Sequence, residues 1–347
     1  MSVIRYIRTQ KKNRIAVVFT GGTIGSAQKN GKVGTDGATS SLLLRLFREK
    51  YGDGISFDAL FPVSMLSENV QIADLETLCA CLRGVDESAY DGVIVAHGTD
   101  TLDFTAVYLS LLFAESKIPI VLVSSAYPLS DPRANGLKNF AGAAAFIRTG
   151  YAGVFVSYAN EGEPCKIHLA SRLLPASEWD GNFSSLGEPF AKVENGKAEI
   201  GGAWTDFPFQ SRRACPYSTL SDRVVSLRAR ALTDYSYFRF SEKKPAAVVM
   251  QPYHSGTVCT KGEGQNALRF LEYCKEREIP VVLAPVDSAA NVYESADGLA
   301  DLAILAKDVS FEVALVKTML AAAAGTDVRR LLEENYFFEK LRKERGK

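Results

Sequence analysis

Short apolar runs recur along the chain, each closed by glycine, serine or threonine and followed by a helical pattern. Arg14-Ile-Ala-Val-Val-Phe19 and Gly92-Val-Ile-Val-Ala96 are two such runs, and residues 118–124 and 153–157 are two more. They are continuous rather than alternating and rich in β-branched residues, which marks strands buried on both faces of a parallel sheet. Between them, apolar positions at helical spacing predict helices over 41–49, 73–83, 102–113 and 135–148. This alternation predicts an α/β fold: a right-handed parallel-sheet N-terminal domain with helices on both faces.

A second alternating unit begins near Ala246, with strands over 247–250 and 279–284 and helices over 264–276 and 311–323. A charged helix is expected over 328–345. It predicts a smaller α/β C-terminal domain. Residues 160–245 are less regular, although 224–228 and 237–240 have strand character. The expected boundaries are an N-terminal domain over 1–205, a linker region over 206–245 and a C-terminal domain over 246–347. Residues 27–39, polar and glycine-rich, read as a mobile loop.

Three strand ends, after Phe19, Ala96 and Val123, lead into Gly, Ser or Thr. In a parallel sheet all three point to the same edge, so they can line one crevice, where open α/β sheets bind ligands. The densest of them is His97-Gly98-Thr99-Asp100-Thr101, two hydroxyls flanking a carboxylate at the start of a helix. Such a helix start favours negative charge. Thr and Asp are also preferred N-cap residues, and Asp103 suits a first turn, so plain capping competes with a binding role.

Composition narrows the chemistry. The 347 residues carry 40 basic and 40 acidic side chains, which argues against a nucleic-acid partner. No apolar run approaches the roughly 18 residues of a membrane span, and the first residues are too polar for a secretory signal. Six scattered cysteines without zinc spacing indicate reduced thiols in a cytoplasmic protein. Gly21-Gly22-Thr23-Ile24-Gly25 lacks the spacing of either nucleotide-binding glycine motif. No cluster of metal ligands stands out in the sequence. One reading makes Thr23 a nucleophile, which needs a base and oxyanion donors. The other makes it a turn residue.

Two stretches, Thr20-Gly-Gly-Thr-Ile-Gly25 and Val95-Ala-His-Gly-Thr-Asp-Thr101, resemble the signature motifs of the bacterial-type L-asparaginase family. Ser125-Ala-Tyr-Pro-Leu-Ser-Asp-Pro-Arg-Ala-Asn-Gly136 and Lys307-Asp-Val-Ser-Phe-Glu-Val-Ala-Leu-Val-Lys-Thr318 are closest to its cytoplasmic (type I) branch. Leu66-Ser67-Glu68-Asn69 resembles its substrate-carboxylate loop. The likeness spans roughly residues 14–335. It implies an amidohydrolase converting L-asparagine to L-aspartate and ammonia through an acyl-threonine, without cofactor, as a homodimer or homotetramer. By that resemblance Thr23 is the attacking hydroxyl and Thr99 the second catalytic threonine. Asp100 binds the substrate ammonium and joins the proton-handling group. Ser67 and Glu68 hold the α-carboxylate and α-amino ends, and Ser125 lies near the amide. Gly22 and Gly98 let the backbone approach the substrate.

Two departures from the family pattern stand out. Its loop tyrosine is absent between residues 24 and 50, where Lys29 or Lys32 would have to replace it. Its lysine aligns with Arg172, or with Lys166 if the loop is shortened. Arginine stays charged and cannot act as a neutral base, so slow or altered turnover is expected. The alternatives are a non-catalytic aspartate or asparagine binder on the same fold, and an amidase acting on a larger partner. Neutral charge and the lack of an appended domain speak against the last.

Five further residues carry expectations of their own. His97 is expected to be a satisfied buried imidazole and His168 a loop residue. Arg133 is expected to be a structural cap or ion pair. Glu294 is a loose candidate for a carboxylate that completes a partner subunit's site, and His254 for an interface position.

Overall fold

The apolar runs are strands of one sheet in a computed structural model of the chain, which describes residues 12–21, 26–29, 32–35, 37–205, 211–288, 293–296 and 298–341. The chain divides into two compact units, Met1–Cys215 and Pro216–Lys347.

The first unit contains β1 (Arg14–Phe19), β2 (Ser26–Lys29), β3 (Lys32–Thr35), β4 (Ser56–Leu60) and β5 (Gly92–Ala96). It continues with β6 (Pro119–Val123), β7 (Gly153–Tyr158), β8 (Cys165–Leu169), β9 (Ala191–Glu194) and β10 (Lys197–Ile200). Eight of these form a sheet in the order β10-β9-β8-β7-β6-β5-β1-β4. From β4 to β7 the neighbours are parallel; β8, β9 and β10 extend the edge antiparallel. Every residue of β5, β6 and β7 is buried, which requires cover on both faces. The helices α1 (Gly37–Tyr51) and α4 (Gly136–Ile147) pack together, and α4 covers β6 to β8. The other helices of this unit are α2 (Ile72–Arg83) and α3 (Leu102–Leu112), and α3 packs on β7.

The second unit is a four-stranded parallel sheet in the order β11 (Val224–Arg228), β12 (Ala247–Gln251), β13 (Val281–Val286) and β14 (Ile304–Lys307). Its helices are α5 (Ala267–Glu276), α6 (Leu299–Leu302), α7 (Phe311–Ala324) and α8 (Val328–Glu333). The α/β architecture expected from the sequence, a large parallel-rich sheet with a second smaller one, is therefore present.

Several local expectations are corrected. The segment read as a mobile loop contains an antiparallel ladder, β2 against β3. The antiparallel edge β9–β10 has no counterpart among the expected strands, although Asn195-Gly196 turns with φ 49° and 72°, the geometry that Asn-Gly hairpins favour. Residues 237–240 do not form a strand; a 3-10 turn at Tyr235–Tyr237 leads into a loop whose Phe238 and Phe240 pack on Phe270.

The terminal helix stops at Glu333. Beyond it Tyr336, Phe337 and Phe338 are buried, and Glu339 forms a fully buried ion pair with Lys317 of α7 at 2.6 Å. Three apolar residues seeking the core end the helix that the charge pattern alone would continue. Among the described residues no helix is long and apolar enough to cross a membrane.

Candidate functional site

β1, β5 and β6 end side by side. Phe19 pairs with Ala96, and Ala96 with Val123. The next residues, Thr20, His97 and Ser124, therefore form a row across the carboxyl edge of the sheet. Thr20 donates to the Ala96 carbonyl from both its N–H (3.1 Å) and its Oγ1 (2.9 Å). Gly21 then turns with φ 101°, a conformation that glycine adopts at little cost. Gly21 bridges to Met65, whose N–H donates to the Thr20 carbonyl at 2.9 Å. These bonds draw the Met65–Asn69 segment to the strand ends.

Within it Ser67 opens a 3-10 turn (Ser67–Asn69) and is buried. Ser67 Oγ donates to Asp100 Oδ2 at 3.0 Å and accepts the Asp100 N–H at 3.3 Å. Thr101 Oγ1 donates to the Ser67 carbonyl at 2.9 Å. Three segments distant in sequence thus meet at one edge: Thr20-Gly21, Ser67 and Thr99–Thr101. Asp100 is exposed and Thr99 half-buried, so both face solvent from this junction.

The same bonds bear on the capping of α3. Thr101 is the N-cap of α3, but its side chain makes no cap hydrogen bond and binds Ser67 instead. Asp103 serves the first turn. It accepts backbone hydrogen bonds from Phe104 and from its own N–H, and burial outweighs them and raises its pKa. Asp100 has no such local duty. Its carboxylate stands beside a helix start, where a bound group meets free N–H donors.

The other candidate residues are placed as follows. Gly22 and Thr23 lie outside the described residues, as do the side chains of Lys29 and Lys32. Gly98 is buried beneath the turn, and Glu68 is exposed on the 3-10 turn next to Ser67. Ser125 is fully buried and its hydroxyl is committed. It donates to the Tyr127 carbonyl at 2.5 Å and accepts the Gly136 N–H at 3.1 Å, tying the loop to the start of α4. Arg172 ends a buried 3-10 turn, Ala170–Arg172, with its guanidinium 4.9 Å over the Trp204 ring. Lys166 pairs with Glu163 at 2.6 Å. The Asp100 carboxylate accepts from Ser67.

His168 is not a loop residue. It lies in β8, buried, with Nδ1 2.7 Å from Ser185 Oγ, and burial pushes its pKa down to about 4. Arg133 is structural, paired with Asp131 at 2.8 Å and stacked on Tyr127. His254 is exposed, as is Glu294, the first residue of a 3-10 turn, Glu294–Ala296.

His97 departs from expectation. It is fully buried, and Nδ1 meets the Gly98 carbonyl at 2.8 Å, but Nε2 has no partner among the described residues. Ser124 Oγ, its neighbour in the strand-end row, is likewise buried without one. The motif points to Ser125 instead of Ser124, and nothing in it distinguishes the two hydroxyls. Among the described residues no group of three or more His, Cys, Asp or Glu could hold a metal ion.

Residues 14–200 match the family model described as Asparaginase, N-terminal. Over 342 residues the chain is 27% identical to the L-asparaginase of Thermococcus kodakarensis, covering 93% of this chain and 97% of that one. A 228-residue stretch is 26% identical to a Glutamyl-tRNA(Gln) amidotransferase component of Methanosphaera stadtmanae, covering 63% of this chain and 51% of the relative. The solved structure of the thermostable L-asparaginase from Thermococcus kodakarensis superposes with a TM-score of 0.79 at 24% identity. It covers 95% of this chain and all of that one, a likeness of fold.

Proposed function

This chain belongs to the asparaginase family, a family of amidohydrolase enzymes, and from that premise we propose that it hydrolyses the side-chain amide of L-asparagine through an acyl-threonine. The observation that carries the reading is the junction of Ser67 with Asp100. It sets an exposed carboxylate and a half-buried threonine hydroxyl, Thr99, at the strand edge into which the Thr20-Gly21 turn leads.

The chemistry proceeds in two steps. Asp100 takes the substrate α-ammonium, and Ser67 and Glu68 hold the α-carboxylate and α-amino ends. The Thr23 hydroxyl oxygen attacks the amide carbon, an oxygen–carbon bond forms, and the carbon–nitrogen bond breaks. The hydroxyl proton leaves with the nitrogen as ammonia. Water, held near Thr99, then attacks the ester carbon; the Thr23 oxygen departs and regains a proton, and L-aspartate is released. Backbone N–H groups around Gly22 and Gly98 steady the oxyanion.

Arg172, which also stacks on Trp204, stays charged and cannot serve as a neutral base. Ser125 acts through the loop it ties down. An unfilled base position lowers the rate by about 10²–10⁴, so turnover is expected to be slow. The test is ammonia release from L-asparagine, L-glutamine and short β-amide peptides by the wild-type chain and by Thr23→Ala. Release from asparagine that is lost in Thr23→Ala supports the reading. Silence on all three substrates at high enzyme concentration refutes it.

A further inference from the structure

Among the described residues three buried side-chain polar atoms have no hydrogen-bond partner: His97 Nε2, Thr105 Oγ1 and Ser124 Oγ. Two of them are neighbours in one row of strand ends. His97 follows β5, and Ser124 follows β6 one place along the same row, with the His97 N–H on the Val123 carbonyl at 2.9 Å. Thr105 lies early in α3, the helix that the His97–Thr101 turn feeds, and its N–H donates to the Thr101 carbonyl at 3.0 Å. Buried polar atoms are partnered in the great majority of cases, and leaving one unpaired costs free energy. Two orphans side by side at the strand ends therefore call for a reason.

The hydrogen bond of His97 fixes its tautomer. The Gly98 carbonyl can only accept, so Nδ1 carries the proton. Nε2 is then a bare acceptor, buried beside the equally unpartnered Ser124 hydroxyl in the strand-end row. Burial also holds the imidazole in its neutral form.

We propose that His97 is a positioning residue: its Nδ1–H grips the Gly98 carbonyl and sets the Gly98–Asp100 turn. His97 touches no substrate in this arrangement. It acts through the turn that presents Thr99 and Asp100. The proposal rests on the hydrolytic reading above for its catalytic consequence, but not for its structural one.

Three substitutions separate the contacts. An asparagine amide nitrogen falls near Nδ1, so His97→Asn can keep the bond to Gly98. His97→Gln carries its polar end near Nε2 and loses that bond. His97→Leu loses both. The readouts are kcat and KM for asparagine, together with hydrogen–deuterium exchange of the peptide containing residues 98–100. His97→Leu and His97→Gln are expected to lower kcat about 10- to 100-fold with KM changed less, the scale on which a small misplacement of catalytic groups acts. Exchange in the turn is expected to rise about tenfold in both as the local structure loosens. His97→Asn is expected to recover to within about threefold of wild type on both readouts, because its bond to Gly98 survives.

Wild-type kcat and wild-type exchange in His97→Leu would overturn the proposal. So would His97→Asn as impaired as His97→Leu. If His97→Leu fails to fold, the Gln and Asn pair carries the same comparison. If the wild-type chain releases no ammonia at all, the functional reading falls, and the exchange data still decide the role of His97.

Discussion

Two regions of the molecule bury polar side chains on opposite terms. In the C-terminal tail the buried charges are answered. Lys317 Nζ meets Glu339 Oε1 at 2.6 Å and donates to the Glu334 carbonyl at 2.7 Å, with the Tyr336 ring 5.2 Å away. Glu339 in turn accepts the N–H groups of Tyr336 and Phe337. At the ends of β5 and β6, by contrast, His97 and Ser124 are as deeply buried but keep unpartnered atoms among the described residues, and Asp100 beyond them is open to solvent. The first arrangement serves to hold a segment in place. The second leaves polar atoms unsatisfied beneath the turn that presents Asp100, a cost in stability of the kind tolerated near functional sites.

The contrast can be broken by substitution. The largest effect is expected at the open site: Asp100→Asn should lower kcat/KM for asparagine about 10²–10⁴-fold, the range for loss of a positioned proton-handling group. The thermal midpoint should barely move. The satisfied region should respond the other way. Lys317→Met strands the Glu339 carboxylate in the interior and should cost about 3–5 kcal/mol of stability by denaturant titration, with the activity per folded molecule intact. A loss of activity without a loss of stability there would erase the distinction.

Acid sharpens the same comparison. His168 is held neutral in the fold, with its pKa depressed to about 4 by burial, while the unfolded chain takes up its proton near the ordinary value. Its contribution is therefore complete above about pH 6.5 and is lost as pH falls toward about 4, a change of about 3 kcal/mol at most. Burial lowers the His97 pKa as well, so its contribution falls in the same direction. The Glu339 carboxyl is held below its usual range by Lys317 and by backbone donors, which outweigh the opposing effect of burial. Its share persists to lower pH and fades only below about 4.5. Thermal melts across this range should show the decline, and His168→Asn should remove much of its upper part. The smallest effect is expected for Ser67→Ala, a rise in KM of about tenfold, since one hydrogen bond to a charged group is lost.

Much of the fold is legible in the sequence because continuous apolar runs such as Val93–Ala96 can only be strands covered on both faces. The terminal helix is overextended by its charge pattern because the Lys317–Glu339 pair, which holds the tail, joins residues too far apart for any local pattern to reveal. The site is legible as motifs, which single out His97–Thr101 and Ser67 without any geometry. The hydrogen bond that joins Ser67 to Asp100 is not, since two segments 33 residues apart declare nothing about contact. The packing of Arg172 on Trp204 is equally invisible, because alignment of a short segment says where a side chain sits in sequence and not which surface it meets.

The proposed mechanism requires the Thr23 and Thr99 hydroxyls to face one another across a pocket with Asp100 at its side. A crystal structure with L-aspartate bound tests it most directly. The expected result places the ligand ammonium on the Asp100 carboxylate beside Ser67 and its side-chain carboxylate between the two threonine hydroxyls. Aspartate bound elsewhere, or Thr23 walled off from Thr99 by packed side chains, would contradict it.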